Sequence, residues 1–130
     1  MGPHVLIVDD DPEYAALLAA RVSRRQPDSE CQVCTAPRDA LDRCCKADLV
    51  IVDLEMPELD GMGFLREAVR RGLDPERVVI NSTHDASELH RRFHLGECLA
   101  VLDKLDADQQ HVLDLIVDGV AARRARAAVG

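Results

Sequence analysis

Tryptophan is absent from this sequence, tyrosine occurs once and phenylalanine twice. So little aromatic surface excludes a platform for stacking nucleobases. The formal charge of −8 speaks against phosphate backbones as direct partners, since binding to them is mostly cationic. Basic residues do cluster at Arg91 and Arg92 and again from Arg123 to Arg126. No apolar run approaches the ~20 residues of a membrane helix. The amino terminus, MGPHVLIVDDD, lacks the basic start, long apolar segment and cleavage site of a secretory leader; its apolar run ends after four residues in three acids. The expected setting is the cytoplasm, with neither membrane nor nucleic acid as a direct partner.

What remains is a chain of 130 residues, 47% hydrophobic and 31% charged, which suits one globular domain spanning 1–130 with its core at about 4–122. Five cysteines, at 31, 34, 44, 45 and 98, form no four-ligand set. The C-x-x-C pair Cys31 and Cys34 lies in the alternating stretch ECQVCTA rather than at a helix start, so reduced thiols serving as small core residues are expected. His90 and His94 stand four apart on a predicted helix without an evident third ligand, and read as solvated or partner-facing.

Strand and helix patterns alternate along the whole chain. VLIVDD precedes PEYAALLAARVSRRQ, whose apolar residues fall at 15, 18, 19 and 22. ECQVCTA precedes PRDALDRCCK, with Ala40, Leu41, Cys44 and Cys45 as its stripe. DLVIVD precedes GMGFLREAVRRG, with Phe64, Leu65, Ala68 and Val69 inward and Gly72 as a stop. RVVINS precedes DASELHRRFHLG, and CLAVLD precedes a final helix striped by Val112, Leu115, Ile116 and Val120. Continuously apolar strands such as VLIV and LVIV imply burial on both faces. Five strands alternating with five helices therefore predict a doubly wound α/β fold on a parallel sheet.

In such a sheet the carboxyl ends of the strands share one edge, where ligands bind. Asp9 and Asp10 end the first strand and Asp53 the third. Carboxylates brought together from these ends repel one another, and a hard divalent cation with oxygen ligands relieves the repulsion. Ser82 ends the fourth strand and Lys104 the fifth. Acids, a hydroxyl and an ammonium at one edge suit Mg²⁺ together with a tetrahedral anion, the ingredients of phosphoryl chemistry. Taken singly, Asp11 before Pro12 reads as a helix cap, and Asp60-Gly61 as a turn into the next helix.

VLIVDDDP, VIVDLEMPELDG, VVINST and VLDKL, in that order, resemble the signatures of bacterial two-component response-regulator receiver domains, chemotaxis-regulator-like and apparently stand-alone. The resemblance covers about residues 4–122. It implies strand order 2-1-3-4-5 in a flavodoxin-like sheet. It also implies Asp53 as phosphoacceptor for a sensor histidine kinase or phosphotransfer protein. Asp10, Asp53 and the Glu55 backbone carbonyl would then be direct Mg²⁺ ligands, with Asp9 acting mainly through water, and Ser82 and Lys104 would bind phosphoryl oxygens. Thr83, His84 and Glu55 would tune hydrolysis. Output would come from docking to an unknown downstream protein across the fourth helix, fifth strand and fifth helix, bearing His90, Arg91, Arg92 and His94, or from a phosphorylation-dependent homodimer. Self-phosphorylation and self-dephosphorylation are expected, without turnover of a separate substrate.

Two positions depart from the family pattern. Val101 stands where a Tyr or Phe is usual, three before the lysine, and Leu105 where a Pro is usual. Without a ring at 101 the usual hydroxyl-to-ring relay cannot operate in its ordinary form. These departures support one alternative, a degenerate receiver that binds partners without phosphorylation. Another is an aspartyl-nucleophile phosphatase of the haloacid dehalogenase type, suggested by Asp9-x-Asp11; it lacks the following Thr or Val and leaves Asp53 unexplained.

Overall fold

Strands that are apolar at consecutive positions are stable only where both sheet faces are covered. The computed structural model, which describes residues 2–83, 88, 91, 93 and 96–129, builds them into such a sheet. Strands β1 (His4–Val8), β2 (Glu30–Cys34), β3 (Leu49–Val52), β4 (Val78–Ser82) and β5 (Ala100–Asp103) pair in parallel in the order β2-β1-β3-β4-β5. This is the doubly wound, flavodoxin-like arrangement expected from the alternation. Helices α1 (Pro12–Arg25), α2 (Pro37–Leu41), α3 (Gly61–Arg70) and α4 (Ala107–Val129) flank it. The predicted helix DASELHRRFHLG lies largely outside the described residues; within it, Phe93 is buried in the core.

The period of two along each strand sorts the core into two layers. Leu6, Val8, Val50, Val52 and Ile80 face α2 and α3, meeting Leu41, Phe64 and Leu65. Val5, Ile7, Leu49, Ile51 and Val79 face α1 and α4, meeting Leu18, Val22, Leu113 and Val117. The same period places Cys31 with the second layer and Cys34 with the first. The C-x-x-C pair thus straddles the sheet and cannot share a bridge or a metal. All five thiols are free; Cys34 and Cys44 are buried, whereas Cys45 is exposed.

Helix ends follow local chemistry. Asp11 caps α1, its side chain accepting from the backbone N–H groups of Glu13 and Tyr14, and Asp60 caps α3 by accepting from Gly63 N–H. Gly72, at φ +107°, takes the left-handed conformation beyond α3 that a glycine adopts without strain.

Three expectations need correction. PRDALDRCCK is not one helix: α2 stops at Leu41, and Cys44–Lys46 form a single 3₁₀ turn. That tighter winding carries Cys44 into the core, its thiol donating to the Leu41 carbonyl at 3.4 Å, and turns Cys45 outward. Val69 is not interior but sits at the rim, 39% exposed. In the last helix the buried stripe runs through Leu113, Val117 and Val120, with Ile116 partly buried, while Val112 and Leu115 face outward. Apolar residues crowd this helix so densely that two neighbouring stripes fit the helical period, and its docking against the sheet selects one.

Phe64 is fully buried between α3 and the sheet. Phe64→Ala is expected to lower unfolding free energy by about 3–5 kcal/mol, read from urea titrations followed by circular dichroism.

Candidate functional site

The parallel ladders deliver the acids. Beyond the last β1–β3 pair, Val8 with Val52, the Asp53 N–H still donates to the Val8 carbonyl at 2.8 Å, so Asp9 and Asp53 emerge side by side at the carboxyl edge. On the other side of β3, Lys104 N–H donates to the Ser82 carbonyl at 2.7 Å just past the end of β5. Carboxylate oxygens of Asp9, Asp10 and Asp53 lie within 4.8 Å of one another, the one group among the described residues arranged so that it could hold a metal ion.

Asp9 and Asp53 are buried, whereas Asp10 is exposed. Both oxygens of Asp9 are engaged: Oδ1 accepts from Asp11 N–H at 3.0 Å and Oδ2 from Lys104 Nζ at 2.6 Å. The same ammonium is 3.4 Å from Asp53 Oδ1. Burial pushes the Asp53 carboxyl up to about 6 and the Asp9 charge pushes the same way; Lys104 and the Glu55 N–H, which donates to it, pull down without prevailing. Burial works against the charged form of Lys104, yet the hydrogen bond to Asp9 and the charges of Asp53 and Asp9 outweigh it and raise its pKa.

Three carboxylates and one ammonium leave two negative charges unbalanced. An oxygen-rich set of that charge fits a hard divalent cation such as Mg²⁺.

A cleft of about 650 Å³ opens above these groups, with Glu55, Met56, Pro57 and Thr83 among its walls. The β3–α3 loop forming one side is pinned where Gly61 N–H donates to the Leu54 carbonyl at 2.7 Å. A Cβ on Gly61 would lie 2.7 Å from the Asp53 carbonyl oxygen, so the absence of a side chain lets the loop return against the strand end that bears Asp53. Ser82 is buried at the end of β4. Val101 lies in the core layer beneath α3 rather than in the cleft. His84, His90, Arg92 and His94 fall outside the described residues.

Sequence reasoning did not single out Tyr14, Asn81 or Gln110. Lys104 Nζ stands over the Tyr14 ring, 4.2 Å from its centroid. Buried Asn81 donates to the Tyr14 hydroxyl at 2.8 Å and accepts from Gln110 Nε2 at 2.9 Å. The available signal was an amide inside the otherwise apolar VVINS strand.

A family model described as the response regulator receiver domain matches residues 5–116. The chain belongs to the receiver domain family of two-component response regulators. Among curated relatives it is 34% identical, over 71% of its own length, to protein-glutamate methylesterase/protein-glutamine glutaminase 2 of Vibrio vulnificus. It is 32% identical, over 75% of its length, to the two-component response regulator ORR26 of rice. It spans only 28% and 17% of those two proteins. In fold it is similar to the Francisella response regulator 1452 receiver domain, with a TM-score of 0.77 at 22% identity over 94% of this chain and 98% of the other. It is likewise similar to TrrA of Thermotoga maritima, solved in complex with Mg²⁺-BeF, with a TM-score of 0.74 at 21% identity over 91% and 98%. No helix among the described residues is long and apolar enough to cross a membrane.

The raised Asp53 pKa fixes the sign of one stability effect. The folded state binds this proton more tightly than the unfolded chain, whose carboxyl titrates near 3.8. The penalty of the charged, buried carboxylate is therefore absent below about pH 4 and complete above about pH 6. Without divalent cations, Asp53→Asn should stabilise the fold by about 2 kcal/mol at pH 7.5 and by nearly nothing at pH 4, compared with the parent at each pH by urea unfolding.

Proposed function

We propose that this chain accepts a phosphoryl group on Asp53 from the phosphohistidine of a sensor kinase or phosphotransfer protein in the cytoplasm, and signals by docking to another protein. The observation that carries this reading is the Lys104 ammonium between buried Asp9 and Asp53, at 2.6 and 3.4 Å, inside a cluster that could hold a divalent ion. A purely structural lysine does not need two buried acids from two strand ends around it.

In this reading an Asp53 carboxylate oxygen attacks phosphorus while the phosphorus–nitrogen bond of the donor breaks, leaving an acyl phosphate and, because the donor ring carries a proton on its other nitrogen, a neutral imidazole. A titration near pH 6 leaves the nucleophile mostly ionised at neutral pH while keeping more basicity than an exposed aspartate has. Lys104 balances charge on one phosphoryl oxygen, and the Ser82 hydroxyl donates to another. Mg²⁺, held by Asp10, Asp53 and the Glu55 carbonyl with Asp9 behind them, would cancel charge between nucleophile and phosphoryl group. Burial of Asp9 with both oxygens engaged supports its supporting rather than direct role. Thr83, exposed on the cleft wall, and Glu55 line the cleft, which supports a role for them in tuning the approach of hydrolytic water. His84 shares that role by family resemblance alone. Val101, an aliphatic core residue, leaves output to backbone and helix movement, with homodimerisation as one form of it.

Incubation with Mg²⁺ and acetyl phosphate should add one phosphoryl group by intact mass, and Asp53→Ala should abolish the gain. No added mass even at the earliest times, with no phosphate released, would favour a degenerate receiver that acts by binding alone. Steady turnover of phosphate esters would point instead to a phosphatase.

Thr83→Ala is expected to change the rate of phosphate loss from the phosphorylated protein by roughly threefold or more, by opening the approach to phosphorus. An unchanged decay would remove Thr83 from this role.

A further inference from the structure

Buried amides are costly unless every polar atom finds a partner, and an aliphatic side chain would fill the same space between α1, β4 and α4 without that demand. Asn81 nonetheless occupies it, 1% exposed. It donates to the Tyr14 hydroxyl at 2.8 Å, and its own oxygen accepts from Gln110 Nε2 at 2.9 Å. The same Gln110 nitrogen donates to the carbonyl of Asp103, the residue immediately before Lys104, at 3.0 Å. Gln110 Oε1 accepts from Arg21 at 3.2 Å and lies 3.5 Å from the Tyr14 hydroxyl. Asn81 and Gln110 thus hold the hydroxyl end of Tyr14, and with it the depth of the ring. The face of that ring is where the Lys104 ammonium rests, 4.2 Å from the centroid.

We propose that Tyr14 is a positioning residue for phosphoryl transfer: its ring, locked by Asn81 and Gln110, seats the Lys104 ammonium between Asp9 and Asp53. The proposal rests on the reading of Asp53 as phosphoacceptor. A lysine is a point charge on a flexible four-carbon stem, and its hydrogen bond to Asp9 alone leaves that stem free to swing. The ring supplies a second restraint through attraction of the cation to its face. Gln110 adds a third by holding the backbone at Asp103. Misplacement of a charge by about 1 Å is enough to cost on the order of a hundredfold in rate.

The composition makes the contact directly readable. Tyr14 is the only tyrosine, and Lys104 and Lys46 are the only lysines. In protein labelled with ¹³C at lysine Cε, two methylene signals are expected, with that of Lys104 displaced upfield by the ring and showing a nuclear Overhauser contact to the tyrosine ring protons. Tyr14→Phe, which keeps the ring face but loses the hydroxyl that Asn81 and Gln110 hold, should keep most but not all of the displacement. Tyr14→Leu should collapse it toward the Lys46 position. In parallel, phosphorylation by saturating acetyl phosphate and Mg²⁺ should slow about tenfold in Tyr14→Leu and stay within about threefold of the parent in Tyr14→Phe. A side chain that merely fills the core would move neither the Lys104 signal nor the rate once folding is verified.

The absence of the ring contact in the parent, which needs no variant to fold, overturns the proposal. So does equal phosphorylation of parent and Tyr14→Leu. A parent that gains no phosphoryl group at all refutes the phosphoacceptor reading itself, and the proposal with it; the two failures are thereby told apart.

Discussion

Like charges held together by a backbone that cannot yield are what the rest of this protein is arranged around. Asp9 and Asp53 stand side by side because β1 and β3 are hydrogen-bonded in parallel register up to and beyond Val8 and Val52. The ladder stabilises that register through apolar side chains on both faces, and those contacts do not depend on the charge of the acids. Crowding at the edge is thus imposed by packing elsewhere, and burial of Asp53, with the Asp9 charge adding to it, pushes the Asp53 carboxyl up to about 6. Such a site is poised for a cation and for an anion that binds the cation, because both relieve a tension that the sheet maintains.

Lys104 is the built-in part of that relief. It reaches the acids from the far side of the sheet, two strands beyond β3, through the rung that joins its N–H to the Ser82 carbonyl. This rung also links the two residues proposed to hold phosphoryl oxygens, so they keep their separation as one unit. A buried ammonium with carboxylate partners is stable only while its partners stay in place. The Tyr14, Asn81 and Gln110 network under it stiffens the side of the site that faces α1 and α4. The other side is shaped by the loop that Gly61 brings back against Asp53. Rigid support on both flanks agrees with a core position for Val101: nothing at that position is free to swing, so any rearrangement has to involve whole elements.

Much of this could be read directly from the letters. The sheet was, since runs such as VLIV and LVIV satisfy only a strand covered on both faces, and helical stripes between them require crossovers. The acids were, since Asp9, Asp10 and Asp53 each follow such a run, and strand ends in a parallel sheet share an edge. Caps at Asp11 and Asp60 were legible too, because capping is a local event between residues two or three apart.

Other features depend on distances that no local pattern encodes. The last helix could present either Val112 and Leu115 or Leu113 and Val117, and its docking against β5 and β4 chose the second pair. PRDALDRCCK carries an acceptable helical stripe, yet α2 stops at Leu41 and a 3₁₀ turn at Cys44–Lys46 puts Cys44 in the core. Tyr14, Asn81 and Gln110 lie 67 and 29 positions apart and looked like unrelated residues of a helix, a strand and another helix. They meet because α1 and α4 cover the same face of the sheet over β4. Composition and period therefore decided which segments form strands and where the acids emerge, because burial of alternating faces is a property of each segment alone. Which helix face turns inward, how Lys104 is held and what lies beneath it were decided only when the elements packed, because those contacts join parts of the chain whose local sequence is compatible with several partners.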